Sequence, residues 1–417
     1  MDTLKVAVLS KSNADGGGAS RVAEDLVSML NKTDDVQAHH WMGYPGRDGQ
    51  ISWRLRGGKI LSKVCLGATL ASRIVGLPDF LTPEMFIFWN RKPVDYDIYH
   101  FHDISSAISP MAMRWLSKRR PVTWTFHDCS PFTGGCLYPM DCAAFTHQCN
   151  HCPQLRDWPL CTTIDRTGWM QRYKKQTFHT TSLKPIAPSN WMADMAVKSG
   201  VVRARPQLIP YAVDLSIFKM HDKKIVRQLL GLPEDRFLVL LSSLNLRDKR
   251  KGMVYAIEAL KALGIDYDVI AVGQSGDFLS HALPGINIHA PGYISDKRML
   301  SMYYAAANVY LFPSIADNLP NSILECLACG TPTIAFNLGG IPDMVEHNVT
   351  GWLAEPKSVA GLVEGLHISY NRPELLQVWS EAGRRKAVNT FSPEQFVQKH
   401  LNLYHQILEQ DKTHKII

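Results

Sequence analysis

Short apolar runs alternate with longer segments of mixed character along nearly the whole chain. The runs Leu4–Leu9, Ile98–Phe101, Val122–Phe126, Phe237–Leu241, Tyr267–Val272, Val309–Phe312 and Thr333–Ala335 are too short for buried helices and read as strands. Segments such as Ser20–Leu30 between them have helix length. This alternation predicts an α/β protein of doubly wound, Rossmann-like parallel sheets covered by helices. Ligands of such sheets gather beyond the carboxyl ends of the strands. Gly16, Gly17, Gly18, His102, His127, Gly273 and Asp317 each follow an apolar run and become the first candidates.

At 417 residues the chain exceeds what one hydrophobic core supports, and two domains are expected. The first half closes near Ala187–Asn190, and the second opens near Leu208–Asp214. The expected division is 1–205, 206–391 and a terminal segment 392–417. That last segment reads as a capped helix, with Ser392 as cap, Pro393 in the first position and Glu394 after it.

Apolar content of 46% and charged content of 20% are ordinary for a soluble globular protein. No uninterrupted apolar stretch reaches the roughly 18 residues of a membrane span. The amino-terminal residues run directly into a strand without a secretory leader's apolar core, so a cytoplasmic location is expected. The net charge of +7 is uneven, because residues 1–205 hold 25 of the 45 Lys and Arg but only 17 of the 38 Asp and Glu. An anionic partner is expected on that half, a membrane surface or lipid diphosphate. No nucleic acid is expected, since these basic residues do not interleave with a recognisable binding module.

The densest signal is Ser314–Val345. Asp317 and Glu325 stand there with seven residues between them. Asn318 and Pro320 mark a helix start, and Gly330 and Pro332 mark its stop. A helix start offers unpaired N–H groups and partial positive charge, which suits a phosphate. Upstream, the basic run around Arg247, Arg250 and Lys251-Gly252 follows the strand Phe237–Leu241. Alone it reads as a solvated loop, but its place at a strand's carboxyl end favours an anion site.

These motifs resemble glycosyltransferase family 4, the retaining sugar transferases of the GT-B fold. The resemblance implies two Rossmann-like domains facing a central cleft, with an acceptor domain first and a nucleotide-sugar domain second. The family's donor signature is Glu, seven residues, Glu, then Ala-x-x-x-Gly-x-Pro. Here Asp317 replaces the first Glu, Glu325 is the second, Cys326 stands where Ala is common, and Gly330 and Pro332 match. By resemblance Glu325 accepts bonds from ribose hydroxyls, and Asp317 contacts the transferred sugar. Asn318, Leu319, Asn321 and Ser322 line the sugar and distal phosphate with their backbone. Gly273 and the turn with Tyr293 and Ile294 border the nucleotide, though Tyr293 reads equally as plain packing. Lys251 meets the diphosphate. The family's Arg ahead of Lys-Gly is Asn245 here, so Arg247 or Arg250 must substitute. His127 contacts the sugar, and Gly16–Gly18 form the acceptor and phosphate loop. His100 and His102 are accessory. The implied donor is a UDP or GDP sugar, and the implied acceptor is a lipid-linked or polysaccharide chain. A catalytically silent sugar-nucleotide binder of the same fold is the alternative.

Six of the nine cysteines fall in residues 129–161. Cys136, Cys142, Cys149 and Cys152 form C-x5-C-x6-C-x2-C, in which only the last pair has common zinc spacing. A structural zinc is expected there, with His147 and His151 as alternates and free thiols as the other reading. The cluster resembles an exopolysaccharide, colanic-acid-type subgroup of the family. No catalytic cofactor is implied. Residues 47–92 combine basic and large apolar side chains. Lys59, Ser62, Lys63, Thr69 and Arg73 fall near one helix face, with Ile60, Leu61 and Val64 roughly opposite. Leu66, Leu70 and Leu77 intrude on the polar face. Phe86, Phe88 and Trp89 follow. Peripheral contact with the inner face of the cytoplasmic membrane and a helix-covered core are the two readings of this stretch.

Overall fold

In a computed structural model, the described residues are 3–43, 51–55, 59–92, 94–105 and 107–416. Residues 47–50 and 56–58 of the basic stretch lie outside them, as do the side chains of Lys59 and of Asp15 in the glycine loop. The chain forms two units, Met1–Ile209 with Val397–Ile417, and Pro210–Phe396.

In the first unit the strands are β1 Leu4–Ser10, β2 Val36–Met42, β3 Ser52–Arg54, β4 Ile98–Phe101, β5 Val122–Thr125, β6 Lys184–Ala187 and β7 Gln207–Leu208. They pair in parallel in the order β3-β2-β1-β4-β5-β6-β7. The second unit holds β8 Phe237–Asn245, β9 Tyr267–Gln274, β10 Ile288–Gly292, β11 Val309–Phe312, β12 Thr333–Phe336 and β13 Gly351–Ala354. These also pair in parallel, in the order β10-β9-β8-β11-β12-β13. Each sheet reverses its winding beside its first strand, between β1 and β4 and between β8 and β11. That reversal opens a crevice at the strands' carboxyl ends.

Both sheets are buried on two faces, which is why most of their strands are predominantly apolar. Val239, Leu241, Val269, Leu311, Ile334 and Phe336 belong to the core of the second unit. Phe101, Phe126, Trp41 and Tyr99 belong to that of the first. Each such side chain stabilises its unit by about 1.5–3 kcal/mol on burial. β2 departs from the apolar pattern, since it carries His39 and His40. His39 Nδ1 lies 3.0 Å from the Tyr96 hydroxyl, and His40 Nε2 lies 2.7 Å from Ser10 Oγ, while His40 Nδ1 is buried without a partner among the described residues.

The last helix runs Pro393–Ile416. From Val397 onward it belongs with the first unit. Tyr404 there shares a 2.7 Å hydrogen bond with His100 of β4, and the His400 ring lies 5.4 Å from that of His100.

The helix Lys59–Ile74 forms, but its faces are not those expected. Cys65, Thr69 and Ser72 are buried, whereas Ile60 is 83% exposed and Val64, Leu66, Leu70 and Ile74 also face outward. Thr69 thus leaves the polar face, because its hydroxyl is satisfied by the Cys65 carbonyl at 2.9 Å. Small residues let this helix seat closely and leave its large apolar ones outside.

Candidate functional site

The second unit gathers its polar groups at the β8–β11 reversal. β8 ends at Asn245, whose side chain accepts the Arg247 N–H at 2.9 Å and so shapes the loop. The turn Lys249–Lys251 follows, capped by Asp248, which accepts the Arg250 N–H at 2.9 Å. Gly252 then takes a left-handed φ of 63°. A Cβ there would stand 2.0 Å from the Pro313 carbonyl oxygen, so only glycine lets this loop reach the end of β11. The contact is laced by the Ile315 N–H, which donates to the Arg250 carbonyl at 3.0 Å.

This lacing brings Lys251 to Asp317. Lys251 Nζ donates to both carboxylate oxygens, at 2.9 and 3.2 Å. Arg250 Nη1 donates to the same carboxylate at 3.0 Å and to the Ala316 carbonyl at 2.7 Å. Ser314 Oγ donates to it as well. Asp317 itself is 7% exposed. Burial pushes its carboxyl up, but Lys251 and Arg250 outweigh that and hold it below the usual carboxylate range. Burial lowers the Lys251 ammonium, and Asp317 offsets this only in part. Arg250 also pairs with Asp248 at 3.6 Å, so two cations here share two carboxylates.

Beyond Asp317 the helix Asn321–Ala328 begins at Pro320 with no side-chain cap. The helices that begin after Ser189, Asp222 and Asp296 are each capped by the side chain there. An uncapped start leaves backbone donors for an anion. Asn318 and Leu319 are buried, so Leu319 offers backbone rather than side chain, while Asn321 and Ser322 are half-buried. Glu325 is buried on the next turn. Burial, and then the Glu325 carboxylate, push the Tyr304 hydroxyl well up. Tyr304 shares a 3.0 Å bond with Ser242, and the Tyr310 hydroxyl lies 2.9 Å from Ser322 Oγ. Gly339 takes a φ of 59°, and a Cβ there would stand 2.0 Å from the Asp317 carbonyl oxygen. The glycine turn after β12 thus packs onto the Asp317 backbone.

The basic loop does not supply two equivalent arginines. Arg250 is engaged by Asp317 and Ala316, whereas Arg247 is exposed and lies over the Phe278 ring at 5.2 Å. Gly273 has a φ of 135°, and its missing Cβ would fall 1.8 Å from the Ser243 carbonyl oxygen, so it closes β9 onto the extension of β8. Tyr293 is 45% exposed and Ile294 is half-buried.

In the first unit, Gly16, Gly17 and Gly18 follow β1, and the helix Gly18–Leu30 starts at Gly17 without a side-chain cap. The turn is held by Glu24, which accepts the Ala14 N–H at 2.6 Å, and by the Lys11–Asp103 ion pair at 2.9 Å. His127 lies just beyond β5, half-buried, with Nε2 2.9 Å from His102 Nδ1. Burial pushes His127 down to about 4 against the pull of Asp103, so the ring is neutral near pH 7. Burial, and then Asp103, push the next residue, Asp128, up to about 6.

Sequence reasoning missed Ser314 and the Tyr304–Tyr310 pair. It also left out His40, His400 and Tyr404. Ser314 lies three residues before Asp317 and was within sight, but the histidine partners come from distant strands and the last helix.

Two doubly wound parallel units, with a basic loop and an uncapped helix start at one reversal, define a GT-B type fold. A model of glycosyltransferase family 4 matches residues 16–217, and one of glycosyl transferases group 1 matches residues 222–386. The chain belongs to glycosyltransferase family 4 and is a glycosyltransferase. A colanic acid biosynthesis assignment attaches to one relative, WcaC of Escherichia coli strain K12, which is 24% identical over 74% of this chain and 76% of its own. An uncharacterized glycosyltransferase of Haemophilus influenzae is 28% identical over 32% of this chain, and the match spans 40% of that protein. Among solved structures, sucrose-phosphate synthase of Thermosynechococcus elongatus aligns with TM-score 0.75 and 19% identity over 98% of this chain and 100% of that one. Anabaena HepE in complex with UDP aligns with TM-score 0.68 and 17% identity over 97% and 100%. At these identities the structural likeness is one of fold.

Proposed function

We infer that this glycosyltransferase moves a sugar from a nucleoside diphosphate sugar, of UDP or GDP type, with retention at the anomeric carbon. The observation that carries the reading is the Lys251–Asp317–Arg250 cluster beside the uncapped start of helix Asn321–Ala328. Sugar transfer breaks the bond from the anomeric carbon to the diphosphate oxygen and leaves negative charge on that phosphate. The Lys251 ammonium and the helix-start N–H groups suit that developing charge. The acceptor hydroxyl attacks from the same face, and the departing phosphate oxygen takes its proton, so no strong side-chain base is required. HepE, whose structure holds UDP, shares the fold and supports a diphosphate donor.

The cluster also refines the role of Asp317. Its carboxylate is occupied by Lys251, Arg250 and Ser314, so it acts first by positioning Lys251, and its contact to the sugar is secondary. Glu325, one turn into the helix, is assigned to the ribose hydroxyls. Neutral His127 and the Gly16–Gly18 loop are assigned to the sugar and acceptor.

The acceptor is proposed to be a lipid-linked saccharide of surface polysaccharide assembly, presented at the cytoplasmic membrane face. Support comes from the outward apolar face of helix Lys59–Ile74 and from a groove of about 590 Å3 bordered by Phe80, Leu81, Phe86, Trp89, Met111 and Trp115. Phe86 is 73% exposed at its rim. Among the described residues no helix is long and apolar enough to cross a membrane. The test is an assay of donor hydrolysis and transfer across UDP and GDP sugars. Turnover of one donor, lost in Lys251→Ala, is expected; no turnover or binding of any nucleoside diphosphate sugar overturns the reading.

A further inference from the structure

Past His127, the Cys-rich loop that joins β5 to the helix Thr167–Thr180 carries none of the residues assigned to the transfer chemistry. Six cysteines lie on it, and the fold sorts them. Cys136, Cys142, Cys149 and Cys152 line one small pocket of about 20 Å3. Cys129 is buried in the core and Cys161 is exposed, and neither lines that pocket. All are thiols, without a disulfide.

One wall of the pocket aims a backbone donor at a sulfur. The Gly134 N–H points at Cys149 Sγ, 3.1 Å away. A Cβ on Gly134 would stand 2.3 Å from Thr167 Cβ, so only glycine brings that donor in. The loop backbone is pinned on both sides: the Cys149 N–H donates to Gln171 Oε1 at 2.7 Å, and the Cys152 N–H to Asp165 Oδ2 at 2.8 Å. Lys174, on the same helix as Gln171, is 5% exposed. Among the described residues its one hydrogen bond is to the Ser130 carbonyl, at 2.7 Å. Burial pushes its ammonium down to about 8, and Cys149 and Cys136, ahead of Asp128 and Asp79, are the neighbours whose negative charge opposes that. A buried ammonium is costly without a countercharge. Four thiolates around a divalent cation carry net negative charge and supply one.

We propose that Cys136, Cys142, Cys149 and Cys152 bind a structural zinc ion. Among the described residues no three side chains are gathered tightly enough to hold a metal as they stand. Binding therefore draws the sulfurs inward, to about 2.3 Å from the ion. Each S–H bond breaks, its proton passes to solvent, and an S–Zn bond forms in its place. A four-sulfur shell leaves no open position, so the ion is structural and clamps the loop that follows His127.

The test needs no activity. Full-length protein purified without chelators is analysed for metal, and the apo form is titrated with cobalt(II). About one zinc per chain is expected, with thiolate-to-cobalt charge transfer and tetrahedral d–d bands. Cys152→Ser should lose the metal, while Cys161→Ser keeps it. A zinc content near zero with all four thiols titrating freely in the native protein overturns the proposal. So does undiminished zinc in Cys152→Ser. The cobalt spectrum of the unsubstituted chain stands even if that variant fails to fold.

Discussion

Lys251 and Glu325 reach the proposed donor differently, and their variants should separate. Lys251 faces the leaving phosphate, so Lys251→Ala removes stabilisation that grows toward the transition state. Turnover should drop at least about tenfold, or 1.4 kcal/mol. Glu325→Ala should lose as much in kcat/KM, with more of it in KM, because ribose contacts bind ground and transition state alike. Steady-state kinetics checks both. Asp317 is a different case. Removing its carboxylate leaves the buried Lys251 ammonium without its ion-pair partner, while Arg250 keeps only Asp248. Asp317→Ala should therefore cost about 3 kcal/mol of stability as well as activity. Urea unfolding would show it as a lower midpoint, and an unchanged midpoint would contradict the ion-pair account. The motif that holds Asp317 and Glu325 was legible because it is contiguous in sequence. The pairing of Asp317 with Lys251 was not, since 66 residues separate them and only the β8–β11 neighbourhood joins them.

Among the elements, the fully apolar strands were plain from their runs, and β2 was not. Its VQAHHWM sequence shows polar residues where a buried strand is apolar, and the Tyr96 and Ser10 partners that permit this lie elsewhere in the chain. β7, of two residues, carried too little pattern to see. The helix Lys59–Ile74 was legible as a helix, but its sequence left open which face is buried, and small side chains rather than large ones make the seat. The outward apolar face has a consequence for vesicle binding. Replacing Ile60 and Leu70 with Asp should abolish flotation with anionic vesicles at low salt and leave the fold intact, since both positions are exposed. Flotation that survives the double change, or is absent from the start, refutes the membrane surface. Loops obey harder limits. Gly252→Ala puts a Cβ against the Pro313 carbonyl in a left-handed conformation and should cost more than about 1 kcal/mol. It should also lower donor affinity, because it uncouples Lys251 from Asp317.

Across the whole molecule, buried neutral histidines set the response to acid. His40, His100 and His102 are buried, and burial lowers all three, His40 to about 4 and the others well below their ordinary range. In the unfolded chain each takes a proton near pH 6.5. Between about pH 6.5 and 4 the unfolded state thus binds more protons than the folded one, and stability falls as pH falls. Each histidine contributes a slope of up to about 1.4 kcal/mol per pH unit in that window. Asp128, raised to about 6, acts in the opposite sense and softens the loss. Thermal unfolding followed from pH 7 to 5 should show a falling midpoint, and a flat profile would contradict the account. Little of this histidine cluster was legible, because His100 and Tyr404 lie 304 residues apart and meet only through the last helix.

The central claim is that the β8–β11 reversal binds a nucleoside diphosphate through Lys251. Titration calorimetry of UDP and GDP against the unsubstituted protein and Lys251→Ala tests it most directly. The account predicts saturable binding of one nucleotide, weakened at least about tenfold by the substitution. Equal affinity in both proteins, or no binding of either nucleotide, would contradict it.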